Sequence, residues 1–443
     1  MPSDHPTREV LERFRLGRLP AAAMRSVSRH LLTGCAECRR IAKAGRQPAE
    51  PAETSYDAAI DRVFARVADR ETAVARERDL ARELYQELLQ HPEARRRLLV
   101  SNSARFRSRM LCEVLLAESH QAGFEEPARA VELARLAVAA AGVLTEEACG
   151  GAEGQRSLAA RAWAQLGNAL RVTGDHPEAE RAFAAVDALV AQGGLALLDT
   201  ARVLDLKASL CRDQRRFAEA SRLLDRVVAI YQQLGQWHLL GRALKQKSMV
   251  CGEAGDLEGE MALLRRALDL LDPDEEPRTF LAARHNLIAA LNQSGRSREA
   301  FALLFHTRPL YLQQGDRMNL LRLRWLEGMV AGGLGRLEQA EIAYREVRDA
   351  FLELGLDYDA ALASLDLAGV LARQGRSADV RRLAAETLAV FAVRDIHREA
   401  FAALAFFSQA AQREVAQVSL VQEVVDFLKR VRNNPDLRFR PPA

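Results

Sequence analysis

The chain has 443 residues, 49% of them apolar and 6% aromatic, with 63 Lys and Arg against 60 Asp and Glu for a net charge of +3. That length exceeds one ordinary compact core and calls for several domains or a repeat array, while the abundance of Ala, Leu, Arg and Glu favours helix over sheet. No run of about 20 apolar residues could span a bilayer, and the opening MPSDHPTREV lacks the apolar centre of a secretory signal, so a cytoplasmic protein is expected.

Charge is uneven: residues 1–46 carry ten Lys and Arg against four acids. Such a basic front end suits an acidic partner, although a solvated basic face explains it equally. Two short helices are expected here, REVLERFRLG with Leu11 and Phe14 apolar, and AAAMRSVSRHLLTG with Met24, Val27 and Leu31 apolar. They lead into His30-Leu31-Leu32-Thr33-Gly34-Cys35-Ala36-Glu37-Cys38-Arg39-Arg40. A Cys-x-x-Cys in a chain without a secretory signal favours metal or redox chemistry over a structural disulfide. The segment resembles the zinc-binding anti-sigma factor domain, in which a helix ending in His-Leu precedes Cys-x-x-Cys-Arg and a further ligand lies about 25 residues upstream. Here His5 lies 25 residues before His30, and four residues rather than three separate His30 from Cys35, with Gly34 as the insertion. The resemblance implies zinc held by His5, His30, Cys35 and Cys38, a tetrahedral N2S2 set, and a sigma factor as partner. The alternative is a helical hairpin with two free thiols. Cys112, Cys149, Cys211 and Cys251 fall within helical patterns and read as small core residues.

After this module (1–42) come a Pro/Ala-rich linker (43–55), KAGRQPAEPAETS, and connecting helices (56–103) with an apolar stripe at Ile60, Val63, Phe64 and Val67. From 104 to 396 the chain repeats itself. AWAQLGNALRVTGDHPEAERAFAAVDAL, from Ala162, has Trp163, Leu166, Gly167, Leu170, Gly174, Ala179 and Phe183 in the layout of the tetratricopeptide repeat, which it resembles. Gly167 lets helix A approach helix B, Ala179 is its small counterpart, and Gly174-Asp175 supplies the turn. The Ala179 position recurs at Ala220, Glu260, Ala300, Ala340 and Val380, and the turn glycine at Gly255, Gly295, Gly335 and Gly375, with Arg215 replacing it once. The small helix-A position recurs as Ala208, Ser248, Gly328 and Ala368, with Ile288 as the exception. The period is 40 after a first interval of 41. The excess over 34 fits a longer helix B running to Gly235, Gly315 and Gly355. Repeats of this length resemble those of bacterial signal-transduction regulators and adaptors. Residues 104–143 read as a degenerate helix pair, and 397–443 as a cap and tail whose apolar face is Phe406, Phe407, Val424, Val425 and Phe427. The fold class is therefore all-α: a right-handed α-solenoid of tetratricopeptide-like helix pairs preceded by a small zinc-finger-like helical hairpin.

No phosphate-binding glycine loop, nucleophile elbow, H-E-x-x-H or Ser/His pairing occurs, and no helix-turn-helix with a basic recognition helix. An enzyme and a nucleic-acid binder are not expected. A solenoid offers its concave surface, lined by helix-A positions that here read Arg202 and Asp205, Arg242 and Lys245, Ala282 and His285, Arg322 and Trp325, with Asn168 and Asn286 nearby. This basic groove suits an acidic peptide or terminal carboxylate, with Trp325 as apolar anchor; otherwise its arginines pair with acids of neighbouring helices. The expected function is a non-enzymatic regulatory scaffold or adaptor that binds a protein or peptide. The alternative is a sensor whose array takes a small molecule or signal peptide, the hairpin being only structural.

Overall fold

The computed structural model describes residues 5–15, 18–32, 34–43, 53–123, 126–392, 398–412, 418–431 and 437–440, and among them every regular element is helical. No helix among them is long and apolar enough to cross a membrane. The chain divides into two compact units, residues 1–79 and 80–443.

In the first unit, helices α1 (Arg8–Arg15), α2 (Ala21–Leu32) and α3 (Ala36–Lys43) are too short to be stable alone and close on a small core of Leu11, Val27 and Cys38, flanked by Phe14, Leu31 and Ile41. Arg39 on α3 donates from Nε to the Leu31 carbonyl at 2.9 Å, which ties α3 to the end of α2. Its guanidinium also lies 4.4 Å from the Phe64 ring centre on α4 (Glu53–Leu89). Of the stripe read from the sequence, Ile60, Val63 and Val67 are exposed.

In the second unit, the last turns of α4 bury Ala81, Leu84, Tyr85 and Leu88 against α5 (Glu93–Asn102), α6 (Arg109–Ala122) and α7 (Pro127–Val143). α6 and α7 are the degenerate pair, and the short α8 (Glu146–Cys149) leads into the repeats. Six helix pairs follow. They are α9 (Ala152–Val172) with α10 (His176–Gln192), α11 (Leu197–Asp213) with α12 (Phe217–Gln233), and α13 (Trp237–Glu253) with α14 (Leu257–Leu268). Next come α15 (Pro277–Gln293) with α16 (Ser297–Gln314), α17 (Arg317–Gly333) with α18 (Leu337–Glu353), and α19 (Asp357–Arg373) with α20 (Ser377–Ala392). The extra residues of the long period lie in the helices, most of which run 17 residues. Helix B stops where expected, with Gly235, Gly315 and Gly355 at positive φ.

The turn between helix A and helix B needs one residue in the left-handed region, and Gly174, Gly255, Gly295, Gly335 and Gly375 supply it at φ between 72° and 91°. Arg215 holds the same conformation at φ 61° without glycine's freedom, a strain of about 1–2 kcal/mol. Asp175 and Asp256 then cap helix B, accepting from the backbone amides of Glu178 and Gly259 at 3.1 and 2.8 Å. The small positions do their work with one refinement: a Cβ on Gly167 would meet the Phe183 ring at 2.7 Å, so the glycine makes room for that ring rather than for Ala179. Ala179, Ala220, Ala300 and Ala340 are fully buried. Where Glu260 replaces the alanine, the facing residue on helix A is Gly252, whose Cβ would lie 2.3 Å from the Glu260 carboxylate.

The array closes with α21 (Arg398–Gln412) against α20, and α22 (Val418–Val431) against α19. Phe407, Val424, Val425 and Phe427 are buried as read from the sequence, while the Phe406 side chain lies outside the described residues. Past α22, Leu437 and Phe439 rest on the same core, Phe439 edge-on to Phe427 at 4.9 Å.

Candidate functional site

Among the described residues, two places that gather chemistry-bearing side chains stand out. In the first unit the structure brings His5, His30, Cys35 and Cys38 together, one ligand atom from each, all within 4.8 Å of one another. His5 Nδ1 is 3.4 Å from both the Cys35 and the Cys38 sulfur, and the two imidazoles meet edge-on at 5.2 Å. Tetrahedral zinc with Zn–N and Zn–S bonds near 2.0 and 2.3 Å sets an N-to-S edge of about 3.5 Å, so the donor set fits that ion in both chemistry and spacing. The Cys38 backbone amide holds the Cys35 thiol below its ordinary pKa, whereas burial pushes the Cys38 thiol up. Gly34, the inserted residue, takes up its extra length at φ 89°.

In the second unit, the concave wall of the array and α22 enclose a cavity of about 1680 Å³. Lys245, His285, Asn286, Arg322 and Trp325 line it, as do Arg278, Lys429 and Arg430. Asn168, Arg202, Asp205 and Arg242 do not. Their side chains are engaged elsewhere in the fold, or shielded. Asn168 accepts from Arg171 at 3.0 and 3.1 Å, Arg202 pairs with Asp199 at 3.2 Å, and Arg242 pairs with Glu276 at 3.3 Å. Asp205 Oδ1 is shielded from solvent without a hydrogen bond, and burial raises its pKa to about 6 against the pull of Arg242, Lys245 and Arg212. The same burial, with Arg212 and Arg242 beside it, lowers Lys245.

Inside the cavity, His285 Nδ1 and Tyr311 Oη share a hydrogen bond of 2.6 Å. Burial, with the Arg322 charge, lowers His285 to about 4, so the ring is neutral near pH 7. Trp325 is wall rather than a free anchor: its indole donates to Asp366 at 2.7 Å and its ring meets Phe351 at 5.6 Å. The cations divide into paired and unpaired, and within the cavity Arg212 is paired, with Asp213 at 2.9 Å. Arg171, Arg216 and Arg376 are satisfied by Asp213, Glu180 and Glu341 at 2.6–3.0 Å. By contrast Lys245, Arg278, Arg322 and Lys429 form no ion pair among the described residues, and Arg322 reaches only the Asn319 side chain at 3.5 Å.

Residues 199–272 match the tetratricopeptide repeat family model. Over that stretch, α11 to α14 and the start of the next connection, the array is similar to tetratricopeptide repeats. No curated protein matches the sequence. Among solved structures, the array is similar to a Rap protein complexed with Competence and Sporulation Factor (TM-score 0.52, 12% identity, 73% of this chain and 87% of that one). It is also similar to aspartyl phosphate phosphatase F from Bacillus subtilis (TM-score 0.50, 13% identity, 89% and 96%). The apo form of RapI gives a TM-score of 0.53 at 11% identity, over 72% and 86%. At these identities the likeness is one of fold. In the helical array, Arg278, Tyr311, Lys429 and Arg430 escaped the sequence reading because their place depends on how the units stack. Arg215 did carry a signal, as the non-glycine at the turn position.

Proposed function

We propose that this chain is a non-enzymatic regulatory scaffold whose tetratricopeptide array binds an acidic peptide or an acidic segment of a protein. The observation that carries the reading is the set of cavity cations without carboxylate partners. Lys245 is desolvated without an ion pair, which is costly, and Arg278, Arg322 and Lys429 are exposed in the same cavity, so a ligand carboxylate would meet these cations through charge-assisted hydrogen bonds. The sensor reading, in which the array takes a signal molecule, draws on the solved Rap protein complexed with Competence and Sporulation Factor. The cavity volume of about 1680 Å³ exceeds the ~300–1,000 Å³ usual for small ligands, which favours a peptide over a small molecule.

For the front module the reading is a structural zinc site. His5, His30, Cys35 and Cys38 would fill all four positions, which leaves none open for catalysis and makes the ion a cross-link between the chain start and α2–α3. With the surrounding basic excess, the module suits an acidic face on a sigma factor, as its resemblance to anti-sigma domains implies.

Both readings are tested on the full-length protein. Lys245→Glu combined with Arg322→Glu should abolish partner retention by the immobilised chain while leaving the helical content unchanged; undiminished retention refutes the groove. Metal analysis should find one zinc per chain, and far less in Cys35→Ser; unchanged zinc in that variant refutes the site.

A further inference from the structure

Arg215 stands where every other described unit turn has glycine at positive φ. An arginine kept in a left-handed conformation is a local strain, and strain of this kind persists where the side chain is used. The side chain lines the cavity. It rests near the Phe217 ring, 5.0 Å from its centre, and makes no ion pair among the described residues.

Arg430 of α22 also lines the cavity. It is held in place rather than neutralised: Nε donates to the Asp426 carbonyl at 2.9 Å, and the guanidinium lies 5.7 Å from the Phe427 ring centre. Both guanidiniums line the one cavity, and desolvation together with the Arg215 charge lowers the Arg430 pKa in spite of Asp426. Beyond them the tail adds Arg438 and Arg440, exposed in the same cavity and alternating with Leu437 and Phe439, which pack on the core. The alternation is that of an extended segment, with one face on the core and the other towards the cavity.

We propose that Arg215 and Arg430 form a two-guanidinium clamp that takes a carboxylate of an acidic peptide, so that the ligand bridges the second repeat to the last helix. The proposal rests on the groove reading and deepens it by assigning which side chains close on the ligand. Two guanidiniums facing one carboxylate give planar, charge-assisted contacts that a lysine pair does not, and the anion removes the repulsion that the empty arrangement carries.

Arg215→Gly separates binding from folding, because it restores the glycine that the turn prefers. The full chain is titrated into fluorescein-labelled hexaglutamate at low salt, and anisotropy is read. Arg215→Gly should unfold no earlier than wild type and yet bind at least about tenfold more weakly. Arg430→Gln should weaken binding similarly, and the double variant should lose less than the product of the two. Wild-type affinity in Arg215→Gly overturns the clamp. Loss of binding in Lys245→Glu/Arg322→Glu alone, with both clamp variants unaffected, overturns the clamp and leaves the groove reading standing. A wild-type chain that ignores hexaglutamate overturns both, and one that prefers a hexathymidylate overturns the peptide as ligand.

Discussion

The indole of Trp325 on α17 donates a 2.7 Å hydrogen bond to the carboxylate of Asp366 on α19, joining the A helices of successive units. Burial raises the Asp366 pKa, and this bond and the Lys429 charge oppose that rise. Trp325→Phe keeps the ring against Phe351 but strips Asp366 of its donor, and should destabilise the array by about 1–3 kcal/mol. Urea unfolding measures it. Trp325→Phe/Asp366→Leu should recover part of the loss, since removing both partners leaves nothing unsatisfied; no recovery would show that the bond is not what the tryptophan contributes.

Glu260 occupies a slot that four of the other units fill with alanine, and burial, with Glu253 nearby, lifts its pKa from 4.5 to about 7. The folded chain therefore keeps a proton that the unfolded chain has released. No penalty exists below pH 4.5, and stability falls as pH rises from there towards 7, by about 2 kcal/mol after allowance for partial exposure. The difference in unfolding free energy between Glu260→Gln and wild type should widen over that window. A flat difference removes the argument.

His285 has the opposite sign. Its folded pKa, lowered from 6.5 to about 4, means the neutral ring contributes in full above pH 6.5 and the contribution fades as pH falls towards 4. Replacing it by glutamine should therefore flatten the acid limb of the stability profile by about 2–3 kcal/mol. Acid sensitivity identical to wild type speaks against a buried neutral imidazole.

Gly167→Ala places a methyl 2.7 Å from the Phe183 ring, whereas Gly328→Ala meets Ala343 and Tyr344 at 3.1 Å. The first should lose about 1–3 kcal/mol to overpacking and the second less. Thermal unfolding ranks them, and the reverse order contradicts the packing described.

In the front module, Cys38 is 1% exposed and part of the small core, while Cys35 is peripheral to it. With chelator present, Cys38→Ala should destabilise the module by about 1 kcal/mol and Cys35→Ala by much less. With zinc added, the two should lose similar amounts because each removes one of four ligands. Amide exchange over residues 8–43 reports both. A persistent gap in zinc counts against shared ligation.

The repeats were legible because each rests on local rules: a small residue where helices touch, and a left-handed residue where they turn. Even the exceptions were visible as letters, with Arg215 in a glycine column and Glu260 in an alanine column. The groove was legible only in part. Helix-A spacing picked out Lys245, His285, Asn286 and Arg322, which line the cavity, but spacing cannot tell that Glu276 takes Arg242 or that Asp366 takes the Trp325 indole. The part lined by Arg430 and the tail escaped altogether. It arises from the accumulated rotation of many units, to which no single repeat testifies.

That rotation makes the array a ruler. Each unit adds to the turn, so which later helix lines the cavity together with Arg215 depends on how many units lie between. Excising one whole 40-residue unit would leave every neighbour a matching surface to rest on, yet it would carry α22 to a different bearing and put other side chains in the cavity with Arg215. Drift in repeat number, neutral for the folding of a simple rod, is here tied to recognition.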